Sequence, residues 1–278
     1  MAAKTSIGWT EVTWNPVTGC DRISHGCDNC YALRLAGRLN AMGQPRYQRD
    51  GDPSTSGTGF GVTCHDDLVD LPRRWRTPRL VFVNAMSDLF HPEVPDEIIS
   101  RVFTSMAAAT AHTFQVLTKR SKRLAGIAPE LVWPANVWMG VSVEKDRYRF
   151  RIDHLRQVPA AVRFLSIEPL LAPVGTLDLD GIDRVIVGGE SGHGSRPIDV
   201  SWVTDIRDQC VDAGVAFFFK QWDGRTARAG GSVLDGRTLD QMPVLPDDLT
   251  ASTPAAKTSS DLKRGHQISG SKRAETDG

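Results

Sequence analysis

The sequence predicts an α/β fold: a partial or complete (β/α) barrel of about six to seven mostly parallel strands, with a disordered C-terminal tail. Three observations carry this expectation. Short, unbroken runs of apolar, β-branched and aromatic residues recur as far as residue 219. Runs without polar alternation belong to parallel strands buried on both faces. Between them lie segments with apolar residues at helical spacing, and strands alternating with helices build right-handed βαβ units. From about Asp247 the chain is Thr, Ser, Ala, Lys and Gly with almost no large apolar residue, too little to offset the entropy of ordering. The expected division is one barrel domain over residues 1–246 and a disordered polar tail over 247–278.

Taken in order, residues 7–14 read as the first strand, β-branched and aromatic. A loop with three cysteines follows. Then comes a helix in which Tyr31, Leu35 and Leu39 recur at i, i+4 and i+8, stopped by Gly43 and Pro45. Residues 46–64, rich in Gly, Asp, Ser and Thr, read as a long excursion of the lid type. Residues 72–78 read as a basic, aromatic link that offers charge and stacking to a nucleic acid or is simply an exposed turn. Strands are then expected at 79–83, 113–117, 136–141, 161–165, 184–187 and 215–219. The helix at 96–109 starts behind Pro95 and places Ile98, Ile99, Val102, Phe103 and Met106 on one face. Further helices are expected at 121–127, 146–157 and 201–213, the last closed by Gly214. Asp235-Gly236 marks a hairpin over 233–238.

Lys and Arg total 33, as do Asp and Glu, so the formal net charge is zero. That argues against strong non-specific binding of nucleic acid by the whole surface, while a local basic patch stays open. The start of the chain lacks an apolar signal segment, and no run of membrane-spanning length occurs, so a cytoplasmic protein without a membrane partner is expected. Five cysteines, three of them clustered, suit a reducing compartment better than a disulfide framework.

The clustered thiols are Cys20, Cys27 and Cys30, at C-x6-C-x2-C spacing on the loop between the first strand and the first helix. The positive end of the helix dipole is expected to favour their thiolates there. Three soft ligands on a short loop hold a metal or cluster with one position open. Two alternatives stand: a site-differentiated iron–sulfur cluster, or zinc with His25 or Cys64 as a fourth ligand. Cys210 shares an apolar stripe with Val203 and Ile206 and is read as core.

Each strand ends in a polar cluster on the edge where barrel enzymes place their sites. These supply the candidates Asn84, Ser87, Asp88, Lys119, Ser142, Glu144, Glu168, Glu190 and Lys220. Lys220 follows Phe217-Phe218-Phe219 and is read as a general acid or an anion anchor. The run Lys119-Arg-Ser-Lys-Arg123 is read either as a phosphate-binding patch or as a solvated helix start. Gly188 and Gly189 allow a ligand to approach the backbone closely.

The strand, cysteine loop and helix followed by βα units resemble the radical S-adenosylmethionine (SAM) superfamily. More closely, the chain resembles a phage-associated three-cysteine-motif family of unknown function. The matching segments include Ile7-Gly-Trp-Thr-Glu-Val-Thr-Trp-Asn-Pro16, the cysteine loop with Tyr31-Ala32, and Val83-Asn-Ala-Met-Ser-Asp-Leu-Phe-His91. They continue with Leu117-Thr-Lys-Arg120, Gly140-Val-Ser-Val-Glu144, Leu165-Ser-Ile-Glu-Pro-Leu170, Val187-Gly-Gly-Glu-Ser191 and Lys220-Gln-Trp222, so that the likeness covers roughly residues 5 to 243. The familiar superfamily loop has three residues between its first two cysteines, where this one has six, and Asn29 stands where that family usually has an aromatic.

The resemblance implies an enzyme in which Cys20, Cys27 and Cys30 ligate three irons of a [4Fe–4S] cluster. The fourth iron would take SAM, whose reductive cleavage gives a 5′-deoxyadenosyl radical. Ser87 and Asp88 follow the strand where that superfamily holds the SAM amino group. With Asn84, Ser142, Glu144, Gly188 and Gly189 they form the expected cofactor-binding set. Lys119, Glu168, Glu190 and Lys220 form the expected catalytic set. The implied partners are a substrate of the nucleotide or nucleic-acid class, an electron donor, and a protein encoded nearby. The implied location is a host cytoplasm if the chain is phage-encoded. The alternative is a zinc-stabilised α/β binding protein or hydrolase without radical chemistry.

Overall fold

A computed structural model describes residues 3–5, 7–226 and 229–244. The tail expected over 247–278 lies outside the described residues. Seven parallel strands form the body: β1 (Val12–Trp14), β2 (Leu80–Val83), β3 (Thr113–Thr118), β4 (Val137–Ser142), β5 (Val162–Ile167), β6 (Arg184–Gly188) and β7 (Ala216–Gln221). They lie side by side in chain order, and Ala3–Lys4 pairs antiparallel on the outer side of β1. The sheet is a half-barrel, open between its first and last strands. Both edges are blunted, β1 by Ala3–Lys4 and β7 by residues 239–241, through Phe219 N to Leu239 O at 2.8 Å and Gln241 N to Phe217 O at 3.2 Å.

The apolar runs are buried along their length, as parallel strands covered on both faces require; all of β4 and all of β6 are buried. On the convex face, Val81, Val83, Phe114, Val116, Met139, Val141, Leu165 and Val187 pack against the helices. These are α1 (Tyr31–Ala41), α2 (Asp96–Ala108), α3 (Ser121–Ile127), α4 (Phe150–Arg156) and α5 (Val200–Ala213). The concave face carries Phe82, Trp138, Phe164, Ile186 and Phe218, plugged by Trp9, whose ring lies 4.7 Å from Phe82. Gly140 is required here: a Cβ on it would enter the Phe164 ring.

Several elements depart from the sequence expectation. The first strand is only Val12–Trp14, because the chain turns at Gly8-Trp9 to place the indole under the half-barrel. The helix expected at 146–157 is a 3-10 turn, Asp146–Tyr148, followed by α4. The buried side of α1 is Ala32 and Ala36; Leu35 faces outward, and half-exposed Tyr31 reaches across to donate its hydroxyl to the Ala85 carbonyl at 2.6 Å. Small residues let α1 lie close to the loop beneath it, where Phe60 and Met86 complete the packing. Residues 96–108, Cys210 on its stripe with Val203 and Ile206, Gly214 in the left-handed conformation and the Asp235-Gly236 hairpin follow the expectation.

Candidate functional site

The three cysteines sit over the C-terminal mouth of the half-barrel. After β1 the chain runs through Val17–Thr18, which pairs antiparallel with Thr63–Cys64. Gly19 then takes φ +88°, and a side chain there would collide with the Gly61 backbone. Ser87, after β2, fixes this point by donating its hydroxyl to the Gly19 carbonyl at 2.7 Å. Cys20 N donates to Phe60 O at 3.2 Å, and Thr55 donates its hydroxyl to Asp21 at 2.6 Å. The excursion over 46–64 is therefore a wall bonded along the cysteine loop, not a free lid. His25–Cys27 forms one 3-10 turn, and Cys30 is the residue before α1.

All three thiols are free. Cys20 and Cys30 are not thiolate-favoured in the bare fold, contrary to the helix-dipole expectation. Burial pushes Cys20 up to about 12 even though the Arg120 guanidinium beside it pulls the other way, and burial likewise raises Cys30. Desolvation outweighs the dipole here, so loading a metal must displace protons. Among the described residues the three sulfurs do not all come within 4.8 Å of one another. Three thiolates at about 2.3 Å from one zinc would be held roughly 3.8 Å apart. Bringing the three sulfurs onto one ion would therefore need their side chains to turn. Of the two proposed fourth zinc ligands, Cys64 is set apart from the loop, while His25 is held through one ring nitrogen. Cys64 lies opposite Val17, three strand positions or roughly 10 Å from Cys20. His25 Nδ1 is 2.8 Å from the Tyr148 hydroxyl.

Three buried ionic groups link the strand ends to this loop. Glu144, after β4, accepts from Ser24 of the cysteine loop at 2.6 Å, from Arg151 of α4 at 2.9 Å, and from Lys119 after β3. Burial would raise Glu144, but the Lys119 and Arg151 charges and the hydrogen bonds hold it below the usual carboxylate range. Asp88 accepts from Thr118 Oγ1 at 2.7 Å, Phe90 N at 3.0 Å, Lys119 N at 3.0 Å and Arg120 Nη1 at 3.1 Å. Glu190, after β6, accepts from Asn29 Nδ2 at 2.8 Å and, through both oxygens, from Arg196. Arg196 also reaches His25 O at 2.8 Å and Asp28 at 3.1 Å, strapping the loop after β6 across the cysteine loop. Burial opposes ionisation of Glu190, and the Arg196 and Asn29 bonds overcome it.

The remaining candidates occupy the same mouth. Glu168 and Lys220 pair with each other across β5 and β7. Asn84 sits at φ +59°, accepts from Val17 N at 3.4 Å, and leaves its buried Nδ2 without a protein partner. Ser142 closes β4 and its carbonyl accepts from Arg151. Gly188 faces the Glu168 and Lys220 side chains. Gly189 has a packing role: a Cβ there would run into the backbone of Trp222 and Asp223, so this face is closed to a ligand.

The basic run is neither a phosphate patch nor a solvated helix start. Lys119 and Arg120 turn inward to Glu144 and Asp88, and Arg123 to the His91 and Val94 carbonyls and Asp96; Lys122 is exposed. Residues 72–78 lie at the opposite end of the strands, ahead of β2, where Trp75 is half-buried under Arg79. Sequence reasoning did not single out Arg151, Tyr148 or Arg196. Their one signal is that a buried carboxylate needs a cation, and no local spacing says which arginine supplies it.

A family model described as a protein of unknown function (DUF5131) matches residues 4–243, and the chain belongs to that family. No curated protein matches. Among solved structures, spore photoproduct lyase complexed with dinucleoside spore photoproduct aligns at 10% identity and a TM-score of 0.41. A mutant of that lyase with bound AdoMet and the dinucleoside spore photoproduct aligns at 10% identity and a TM-score of 0.42. Both alignments cover 75% of this chain and 63% of the other, so this chain spans less than two thirds of the lyase structures it matches.

Proposed function

We propose that this chain is a radical SAM-type iron–sulfur enzyme in which Cys20, Cys27 and Cys30 hold three irons of a [4Fe–4S] cluster and leave the fourth for SAM. The observation that carries the reading is the arrangement of the thiols. Three free cysteines share one loop over the C-terminal mouth of a parallel half-barrel, and the polar strand ends are bonded to that loop. When bound, the cluster and SAM supply one-electron reductive cleavage of the sulfonium.

The chain's own residues hold and shield that chemistry. Glu144, Glu190 and Ser87 fix the cysteine loop from three strand ends. Asn84 offers an unpartnered amide. The Glu168–Lys220 pair offers a proton donor and acceptor at the mouth. A substrate of the nucleotide or nucleic-acid class is supported by exposed Arg22, Arg34 and Arg38 beside exposed Tyr31 and Leu35 near the loop, charge and apolar surface of the kind that takes phosphates and bases. An external electron donor is a required partner. Among the described residues no helix is long and apolar enough to cross a membrane.

The test is anaerobic reconstitution with iron and sulfide, followed by SAM addition and reduction. The expected result is a brown protein that yields 5′-deoxyadenosine. A colourless protein with one zinc contradicts the reading.

A further inference from the structure

Arg120 follows β3 and is nearly buried, its side chain 9% exposed. Its Nη1 lies 3.3 Å from the Cys20 sulfur and 3.1 Å from Asp88, and its Nη2 donates to Asp21 O at 3.3 Å. Its geometry is fixed from behind. Asp88 is held by Thr118 Oγ1, Phe90 N and Lys119 N, and Arg120 N itself donates to Thr118 Oγ1 at 2.9 Å. These donors place two hydrogen bonds on each Asp88 oxygen, so little of the carboxylate is left for a cofactor amine.

We propose that Arg120 is a positioning residue that sets the reduction potential of the metal group on Cys20, with Asp88 acting through Arg120 and not on the cofactor. The inference rests on the cluster reading above. Reduction adds a negative charge to a cluster and its thiolates. A guanidinium donating to one of those sulfurs in a poorly solvated site stabilises the reduced form more than the oxidised form. Arginine suits the place because its planar fork serves Cys20, Asp88 and the Asp21 carbonyl together, which a lysine ammonium cannot do in the same geometry.

The experiment is an anaerobic redox titration of the reconstituted full chain, following the reduced-cluster electron paramagnetic resonance signal in wild type, Arg120→Gln and Arg120→Lys. At a fixed poise, Arg120→Gln is expected to lower the ratio of reduced to oxidised cluster about tenfold, which is about 59 mV for a one-electron couple. Arg120→Lys is expected to lower it about threefold. If Arg120 only props the loop, the variants lose cluster content while the retained cluster keeps the wild-type potential. An unchanged potential in whichever variant holds a cluster overturns the assignment and leaves the function reading intact. A wild type that takes up no cluster overturns both.

Discussion

Replacing Glu144 with alanine is expected to destabilise the fold by about 3–5 kcal/mol, because it strands a buried cation. Glu144 has no exposed side-chain surface, and Arg151, its partner at 2.9 Å, is 3% exposed with its Nε already lacking a partner. Without the carboxylate that guanidinium keeps the Ser142 carbonyl, at 2.7 Å, and the face of the Tyr148 ring, neither of which neutralises it. Lys119 contributes less: it is 20% exposed and can turn to water. Ser24 is half-exposed and can also rehydrate, so the loss of its 2.6 Å bond adds little to stability but frees the cysteine loop from β4. The assay is equilibrium urea unfolding of the full chain, read by tryptophan fluorescence and circular dichroism together. Glu144→Gln, which keeps the shape, is expected to cost less. The paired change Glu144→Leu with Arg151→Met is expected to cost less than Glu144→Ala alone, since it removes both charges from the interior. A loss below about 1 kcal/mol in Glu144→Ala would refute the claim that this carboxylate is the obligatory counter-charge of Arg151.

Other outcomes follow from the same structure. Gly189→Ala is expected to destabilise by about 1–3 kcal/mol through the clash with Trp222 and Asp223, measured by the same unfolding curve. Tyr148→Phe removes the hydroxyl 2.8 Å from His25 Nδ1, and a loss of about 1 kcal/mol is expected, with faster proteolysis of the cysteine loop as the direct check. Cys64→Ala is expected to leave the metal content of the reconstituted protein unchanged, whereas Cys27→Ala removes most of it; inductively coupled plasma analysis decides. Burial, with Arg46 beside His65 and Arg79 beside His112, holds both imidazoles below the ordinary value. Their unfolded forms bind protons that the folded forms refuse, so stability is full above about pH 6.5 and falls as pH drops below it, by at most about 1.4 kcal/mol per pH unit for each proton. His112→Gln is expected to reduce that slope.

Much of this was legible in the sequence because burial on both faces writes itself into continuous apolar runs. β4 and β6 are such runs, and the cysteine loop between β1 and α1 is marked by its spacing alone. The fine structure was less legible for identifiable reasons. Tyr31, Leu35 and Leu39 have the period of a buried stripe, but close approach of α1 selected Ala32 and Ala36 for the inside. The run 119–123 reads as surface charge, yet its partners Glu144, Asp88 and Asp96 come from other elements. Glycine-rich 46–64 reads as a lid because its bonds to Asp21, Cys20 and Arg22 are non-local. Strand ends could be placed at one mouth by topology; which polar groups are already satisfied by arginines could not.

The central claim is that Cys20, Cys27 and Cys30 form an iron–sulfur site open to SAM. Its most direct test is iron, sulfide and zinc content of anaerobically reconstituted protein, with paramagnetic resonance of the reduced state before and after SAM. The account predicts about four irons and four sulfides per chain, little zinc, and a signal that shifts when SAM is added. One tightly held zinc per chain, with no cluster after reconstitution, would contradict it.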